Sequence, residues 1–326
     1  MLNNEASILK MYRDESILER KECMKLSIII VNYNTYSLTR QTIESVIQKK
    51  HKFTYEIILV DNASADGSIE ALEETFKEEI KNKQIHIIKN SANLGFSKAN
   101  NIGIRSAKGD YILLLNSDTE VEGNCLEECL MQMESTPKLG AIGCKVVLAN
   151  GTLDHACKRG FPTPKASLYY FLKWDKKDPI RYGQYAALHL GEDEVGEVDV
   201  LTGAFMLMPR KVLDEVGLLD EDFFMYGEDI DLCFRIKEGG YSILYYPKEC
   251  IVHYKGGSST RRRYKVIFDF HHAMWIFYKK HYKKRYNIFV TALVGIGIWT
   301  KYLLEVVKNR LKPVHQQLQS EENQSI

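Results

Sequence analysis

From residue 25 onward, short apolar runs alternate with segments whose apolar residues have helical spacing. The apolar runs lie at 26–31, 56–60, 85–88, 111–115 and 141–147. Runs of this length, bounded by polar residues, are typical of strands that are buried on both faces of a sheet. Strands that alternate with helices predict right-handed βαβ units and a parallel sheet. The pattern therefore predicts an α/β fold.

Polar or small residues directly follow each of the first four predicted strands. They are Asn32 and Asn34, Asp61, Asn93 and Gly95, and Asn116 and Asp118. The carboxyl ends of parallel strands lie at one edge of a sheet, so these side chains are expected to line one crevice, where a nucleotide would bind. The Asp118 carboxylate can hold a divalent cation against a phosphate there. The structural alternative is an Asx turn that only ends the strand.

The second half of the chain does not continue this alternation of strands and helices. Residues 149–196 are rich in Gly, Pro, Tyr and charge and predict no helix or strand. Such a stretch inside a compact domain is either functional or mobile. Residues 198–208 predict a strand kinked at 202–204, and residues 241–246 predict another strand that leads to His253. An isolated His is more often structural, but an imidazole beside Asp118 would suit a mixed oxygen and nitrogen metal site.

Glu228, Asp229 and Asp231 stand at the predicted start of a helix. The helix dipole favours carboxylates at this end, which is a purely structural explanation. Helical spacing places Asp229 on a face that is otherwise apolar, so we expect an inward carboxylate that can accept a proton from a hydroxyl nucleophile. Asp231 and Arg235 have the i,i+4 spacing of an ion pair.

Composition bears mainly on location. The net charge of +1 over 326 residues gives no global attraction to nucleic acid. The seven cysteines form no CxxC pair, which indicates reduced thiols in the cytosol. Residues 1–24 are charged, lack the apolar core of an export signal and predict an amphipathic extension.

Residues 257–326 predict a separate helical region with a basic and aromatic character. A Gly/Ser loop leads into Arg261 and Arg262, which either contact a diphosphate or form a solvated basic loop. The uncharged run 288–299 is shorter than the about 20 residues of a membrane span. Basic and aromatic residues beside a short apolar helix fit a segment at the cytoplasmic membrane interface. A buried core helix or a dimer contact are the alternatives.

Six motifs follow one another in the order expected of a known family. They are VNYN at 31–34, VDNASADGS at 60–68, NLGFSKANNIG at 93–103, LLNSD at 114–118, TGAFMLMPR at 202–210 and FMYGEDIDLCFR at 224–235. Together they resemble the inverting GT-A glycosyltransferases of family 2, and the NSD variant resembles the rhamnosyltransferase branch. The resemblance covers residues 25–256 and implies a Rossmann-like GT-A domain with a mixed, mostly parallel sheet.

The resemblance also implies where the donor binds. Residues that resemble the pocket for the nucleoside, or the turn that closes over it, are Val31, Tyr33, Asn34, Asp61, Asn93, Gly95, Phe96 and Asn100. Asn116, Ser117 and Asp118 stand where the family has its DxD motif, and Asp118 resembles the carboxylate that binds Mg²⁺ or Mn²⁺ on the diphosphate. The neutral amide of Asn116 is a poorer cation ligand, so tight metal binding is not expected without nucleotide.

The remaining roles concern catalysis. Asp229 resembles the catalytic base, His253 a residue that completes metal coordination, and Arg235 a cation that faces the leaving diphosphate. The region of the acceptor or diphosphate is expected to include Thr202, Gly203, Glu228, Arg261 and Arg262.

The sequence thus predicts a metal-dependent inverting glycosyltransferase for cell-surface polysaccharide synthesis. The expected donor is a dTDP- or UDP-linked sugar, with rhamnose favoured. The expected acceptor is a saccharide linked to a polyprenyl diphosphate at the inner face of the cell membrane. No nucleic acid partner is expected, and a homodimer is left open. The alternatives are a nucleotide-sugar-binding protein without turnover, and a nucleotidyltransferase. The latter would need a Gly and a Lys or Arg after the first strand, and VNYNTYS contains neither.

Overall fold

The structure is a computed structural model that describes residues 24–254 and 263–311. Arg261, Arg262 and almost all of the predicted N-terminal extension lie outside the described residues.

A nine-stranded sheet organises the described chain. Its strands are β1 (Leu26–Asn32), β2 (Tyr55–Asp61), β3 (Ile85–Lys89), β4 (Tyr111–Leu115), β5 (Thr119–Val121), β6 (Leu139–Leu148), β7 (Gly196–Glu197), β8 (Phe205–Pro209) and β9 (Ser242–His253). The order is β3-β2-β1-β4-β8-β6-β9-β5, and β7 pairs with β9. Strands β3, β2, β1 and β4 run parallel, and β8 joins β4 to β6 in antiparallel fashion. The predicted mixed α/β architecture is confirmed.

The helices connect these strands and extend the chain beyond them. They are α1 (Tyr36–Ile47), α2 (Ser68–Thr75), α3 (Lys77–Lys81), α4 (Phe96–Ser106), α5 (Cys125–Ser135), α6 (Pro164–Phe171), α7 (Pro179–Tyr182), α8 (Arg210–Val216), α9 (Glu228–Glu238), α10 (Arg263–Phe277) and α11 (Ile288–Arg310). A π-helical turn, Tyr278–Tyr282, follows α10.

The centre of the sheet explains the unbroken apolar runs. Side chains of β1, β2 and β4 are buried on both faces, including Ile28, Ile58 and Leu113, because helices cover both sides of a parallel sheet. This burial fixes the strands, and with them the positions of the polar residues at their ends.

Three expectations about elements were wrong in extent. Within 149–196 the chain does form the short helices α6 and α7. The predicted strand 198–208 is a strand only from Phe205, since Val200 makes an isolated bridge with Arg159 instead of joining a ladder. The apolar segment at 288 continues as a helix of 23 residues, which is long and apolar enough to cross a membrane by length and composition.

The C-terminal helices dock on α9 through aromatic side chains. The Phe234 ring lies 5.7 Å from the Phe277 ring and 5.9 Å from the Tyr282 ring, in edge-to-face geometry. On the other side of this contact, α10 and α11 pack on each other, and the hydroxyl groups of Tyr278 and Thr291 are 3.0 Å apart.

Candidate functional site

The ends of β1 and β2 are tied together by hydrogen bonds between buried polar side chains. Asn32 Nδ2 donates to Asp61 Oδ1 at 2.8 Å, and Ser64 N donates to Asp61 Oδ2 at 3.0 Å. The backbone amide of Asn34 in turn donates to Ser64 Oγ at 2.9 Å. Asn34 and Asp61 therefore lie close together at this edge of the sheet, as the strand-end pattern predicts.

Asn62 extends this edge to the loop after β3. Its side-chain amide donates to Asn93 Oδ1 at 3.1 Å and to the Gly95 carbonyl at 3.2 Å. The side-chain oxygen of Asn62, Oδ1, accepts a hydrogen bond from the Leu94 backbone amide at 3.0 Å. Asn62 was not singled out from the sequence, although it lies inside the VDNAS motif.

The turn at Gly95 docks against the loop that precedes α9. Gly95 has a φ of +84°, and a Cβ at this position would lie 2.4 Å from the Phe224 carbonyl oxygen, so only glycine fits. The Phe96 amide donates to that same oxygen at 2.7 Å, and the Phe96 ring lies against Gly203. Asn100 is buried and donates to the Phe96 carbonyl at 3.0 Å, which supports the start of α4. Two distant motifs therefore meet at Gly95.

Asp118 and His253 form the second part of the site. Strand β5 pairs with the end of β9, so Asp118 Oδ1 lies 3.2 Å from His253 Nε2. The other ring nitrogen, Nδ1, lies 3.2 Å from Asp154 Oδ2. The sequence-based pairing of Asp118 with His253 thus has a geometric counterpart, whereas Asp154 was missed.

Electrostatics favour a charged imidazole between these carboxylates. Burial alone would lower the pKa of His253, but hydrogen bonds to Asp118 and Asp154 raise the pKa to about 9. The two carboxylates therefore stabilise positive charge at the imidazole, and a metal ion bound to Nε2 would take the place of its proton.

The donors at this point suit a hard divalent cation only in part. The described residues contain no cluster of three His, Cys, Asp or Glu side chains placed to hold a metal. Besides Asp118 and His253, Asn116 Oδ1 is buried without a hydrogen-bond partner in the described part of the chain, and Asn116 Nδ2 lies 3.5 Å from His253 Nε2. An oxygen, a nitrogen and an unpartnered amide oxygen fit a cation whose remaining ligands come from a bound molecule. Asp154 would orient the imidazole from behind.

Asp229 pairs with a cation that the sequence did not reveal. Its Oδ2 lies 2.6 Å from Arg159 Nη2, and its Oδ1 accepts from the Ile230 amide at 2.8 Å. Burial alone would lower the pKa of Arg159, but the adjacent Asp229 carboxylate raises it, so the guanidinium stays charged. The Asp229 side chain is 14% exposed, which leaves part of it accessible to a ligand.

The structure gives Arg235 a different place from the one expected. The predicted pair with Asp231 forms, at 2.8 Å, but the other guanidinium nitrogens donate to the carbonyls of Val216 and Leu218 at 2.7 and 2.8 Å. These contacts use the nitrogens of the guanidinium and anchor the loop after α8. The expectation that Arg235 faces a leaving diphosphate is therefore replaced by an anchoring role, and Arg159 is the cation beside Asp229.

Two segments join the two halves of the site. The segment from Asp154 to Arg159 touches His253 at one end and Asp229 at the other. The loop from Leu201 to Ala204, which includes Thr202 and Gly203, accepts a hydrogen bond from Arg159 at the Leu201 carbonyl and one from the Asn116 amide at the Ala204 carbonyl. The irregular stretch after β6 therefore contacts both pairs, a position that its composition did not reveal.

Comparison with protein families gives two matches. A family model described as "Glycosyl transferase family 2" matches residues 27–217, and one described as "Glycosyl transferase family group 2" matches residues 179–314.

Curated relatives are distant in sequence. The chain is 27% identical over 251 residues to the low-salt glycan biosynthesis hexosyltransferase Agl10 of Haloferax volcanii, covering 75% of this chain and 73% of that protein. It is 24% identical over 234 residues to the N-acetylglucosaminyl-diphospho-decaprenol L-rhamnosyltransferase of Mycobacterium tuberculosis, covering 68% of this chain and 73% of that protein. A third relative, the protein y4gI of Sinorhizobium fredii, is 24% identical, and this chain spans only 27% of its length.

Solved structures share the fold. The mannosyltransferase PcManGT from Pyrobaculum calidifontis, in complex with GDP-Man and Mn²⁺, aligns with a TM-score of 0.56 at 14% identity over 98% of this chain and 87% of its own. GalNAc-T7 with UDP, GalNAc and Mn²⁺ aligns with a TM-score of 0.54 at 19% identity over 71% of this chain and 43% of its own.

Proposed function

Because the chain belongs to glycosyl transferase family 2, we propose that it transfers a sugar from a nucleoside diphosphate sugar to a hydroxyl of a saccharide acceptor, with inversion at the anomeric carbon. The observation that carries this proposal is the joining of the Asp118–His253 pair to the Arg159–Asp229 pair by the segment from Asp154 to Arg159. A cation-attracting pair and a carboxylate base are the two groups that such a displacement needs.

The strand-end network is proposed to hold the nucleoside. Asn34 and Asp61 lie near the half-buried Val31 and Tyr33, and the turn from Asn93 to Phe96 lies against Asn62. Asp118 and His253 would hold Mg²⁺ or Mn²⁺ against the diphosphate, with Asn116 and Ser117 beside them. Such a cation would stabilise the negative charge that develops on the leaving diphosphate.

Asp229 is proposed as the base. Its carboxylate takes the proton of the acceptor hydroxyl, while that oxygen forms a bond to the anomeric carbon and the bond from this carbon to the diphosphate breaks. Arg159 fixes the orientation of the carboxylate through their 2.6 Å contact. Glu228, Thr202 and Gly203 lie next to this position and are proposed to border the acceptor, and Arg261 and Arg262 remain proposed contacts to a diphosphate.

The sugar and the acceptor are proposed from the relatives. The proposed donor is a dTDP- or UDP-linked deoxyhexose such as rhamnose, and the proposed acceptor is a saccharide on a polyprenyl diphosphate at the inner face of the cell membrane. The name of the mycobacterial relative supports the rhamnosyl group and the acceptor linked to a diphospho-decaprenol. A nucleotide-binding role without turnover is less favoured, because Asp229 keeps a positioned partner and partial access to solvent.

Donor binding and turnover test this proposal separately. Thermal shift with a panel of nucleoside diphosphate sugars, each with Mn²⁺ or Mg²⁺, is expected to identify a donor that stabilises the chain. With that donor, Asp229→Asn should lower kcat by about a hundredfold or more while donor binding persists. Asp118→Ala should instead weaken both donor binding and the response to the cation.

Asp214→Asn, which changes an exposed carboxylate on α8, is the matched control and should leave both measurements unchanged. Full transfer activity in Asp229→Asn would contradict the assignment of the base. The absence of stabilisation by every nucleotide sugar would contradict the proposed function itself.

A further inference from the structure

The insertion between β6 and β8 carries an exposed apolar patch that has no role in the site. Within α6, the turn after it and α7, the side chains of Leu168, Phe171, Leu172 and Ile180 are 53%, 58%, 43% and 85% exposed. Side chains of this size seldom stand together in solvent on a monomeric protein, and such a patch marks a surface that is covered by something.

The same insertion is basic. Residues 164–182 contain five basic residues, Lys165, Lys173, Lys176, Lys177 and Arg181, against two acidic ones. All five basic residues are exposed, whereas one of the two acids, Asp175, is buried. Apolar side chains interleaved with exposed cations match a lipid surface that carries negative charge, and they do not match a neutral protein partner or a sugar.

An aromatic cluster lies within the same insertion. The Trp174 ring is stacked on Tyr169 at 5.6 Å and lies 5.6 Å from Tyr182. Tyr and Trp rings of this kind are favoured at the level of lipid headgroups, where one part of the ring is apolar and another is hydrated.

The insertion is also continuous with the C-terminal helices. Phe161, which leads into α6, packs its ring 5.0 Å from Phe234 of α9, and Phe234 in turn contacts Phe277 at the end of α10. Phe234 therefore links the segment that precedes α6 and the end of α10 to the helix that carries Asp229.

We propose that the insertion at 164–182 is a second membrane-contacting element, which inserts Leu168, Phe171, Leu172 and Ile180 into the interface of an anionic bilayer. This inference rests on the proposed function at a membrane surface, and it adds a point of attachment to the one expected at the C-terminal helices. Two points fix the orientation of the chain on the membrane, so that α9 faces acceptors that are anchored there.

Binding of the full chain to vesicles tests this inference. Co-sedimentation with vesicles of phosphatidylglycerol and phosphatidylcholine is compared between the chain and the double variant Phe171→Ser/Ile180→Ser. Removing two large apolar contacts is expected to weaken partitioning by about tenfold or more. Met131→Ser, which removes an equally exposed apolar side chain on α5, is the matched control and should bind as the unchanged chain does.

A second measurement reports on the insertion itself. Quenching by brominated lipid is measured for the chain and for Trp174→Phe, so that the difference isolates Trp174 among the three tryptophans. We expect Trp174 to be quenched in the bound chain. Vesicle binding without Trp174 quenching, or equal binding by the double variant, would overturn the inference, as would a variant that loses only affinity for a saccharide acceptor. Transfer to a soluble acceptor is measured in parallel, since it depends on the proposed function and not on membrane contact.

Discussion

Three carboxylates open α9, and their neighbours give each a different electrostatic state. Burial and the adjacent Asp229 carboxylate raise the pKa of Glu228 to about 8, and Glu228 Oε2 has no hydrogen-bond partner among the described residues. Burial would also raise the pKa of Asp231, but hydrogen bonds from His281 and Arg235 outweigh it and lower that pKa. Asp229 is paired with Arg159. All three carboxylates lie at the same helix end and experience the same helix dipole. The differences between them therefore come from their burial and their side-chain partners.

Glu228→Gln should change the pH dependence of stability. The folded chain keeps the Glu228 proton up to about pH 8, whereas the unfolded chain loses it near its ordinary pKa of 4.5. Wild-type stability therefore falls as pH rises through this window, and the penalty is complete above pH 8. The amide removes the penalty, so the variant should be more stable by roughly 2–4 kcal/mol at pH 9 and little changed at pH 4.

Urea unfolding of both chains across this pH range measures the effect. Glu74→Gln, at a side chain that is 79% exposed, is the control and should show no such trend. A constant difference between Glu228→Gln and the wild type at every pH would show that folding does not raise the pKa of Glu228 and would contradict this prediction.

Asn116→Asp should strengthen metal binding without nucleotide. The amide oxygen of Asn116 has no hydrogen-bond partner within residues 24–254 and 263–311, and its nitrogen lies 3.5 Å from His253 Nε2. A carboxylate there would add negative charge to the donor set. Calorimetric titration with Mn²⁺ should show affinity that is higher by about tenfold or more. Equal affinity of the variant and the wild type for Mn²⁺ would place the cation away from Asn116. The control is Asn124→Asp, which adds the same charge at an exposed position.

At the scale of elements, α9 is held from two sides by segments that are distant in sequence. On one side Arg235 anchors the loop after α8, and on the other His281 Nε2 lies 2.6 Å from Asp231 Oδ1. Lys280 also pairs with Asp220 and Asp222 in the loop that leads to α9. The π-helical turn Tyr278–Tyr282 is therefore part of the support for the helix that carries Asp229.

His281→Ala should loosen this support. Asp231 is buried, and without His281 it would keep Arg235 as its charged partner but leave Oδ1 unpaired. A loss of about 1–3 kcal/mol in the free energy of unfolding is expected, with a lower kcat because Asp229 lies on the same helix. His281→Gln can still donate a hydrogen bond and should recover part of both losses. An unchanged stability in His281→Ala, measured beside the exposed control His189→Ala, would contradict this role.

The sequence was most informative where structure follows from local pattern. The apolar runs located β1 to β4, and the i,i+4 spacing located the Asp231–Arg235 pair. The residues at 198–208 predicted a strand over the whole segment, and the strand forms only from Phe205. Val200 is buried but bridges Arg159, because burial alone does not determine the partner of a segment. Asp154 and Arg159 escaped notice because their partners, His253 and Asp229, are far along the chain and nothing local marks the contact.

At the scale of the whole molecule, α11 presents a long apolar surface to solvent. Only 6% of its most apolar 18-residue window is buried, and Ile288, Phe289 and Leu293 are 70%, 76% and 69% exposed. A buried core helix is therefore wrong as an interpretation of this segment. Two charged residues within this helix, Lys301 and Glu305, are one turn apart and 3.9 Å from each other. Two possible occupants of this apolar surface remain, a membrane and a second copy of the chain.

Leu293→Glu/Leu304→Glu distinguishes these two occupants. Both side chains are more than half exposed, so the variant should fold, while two added charges make insertion into a bilayer costly. If α11 lies at a membrane, the variant should move from the membrane to the soluble fraction of cells and keep its sedimentation coefficient in detergent. If α11 joins two copies instead, the variant should shift from dimer to monomer in analytical ultracentrifugation. Lys308→Glu, beyond the apolar stretch, controls for charge alone. We expect the first outcome, because the exposed apolar residues of α11 stand beside the basic turn at Lys279 and Lys280, and that arrangement matches an anionic lipid surface better than an identical basic copy.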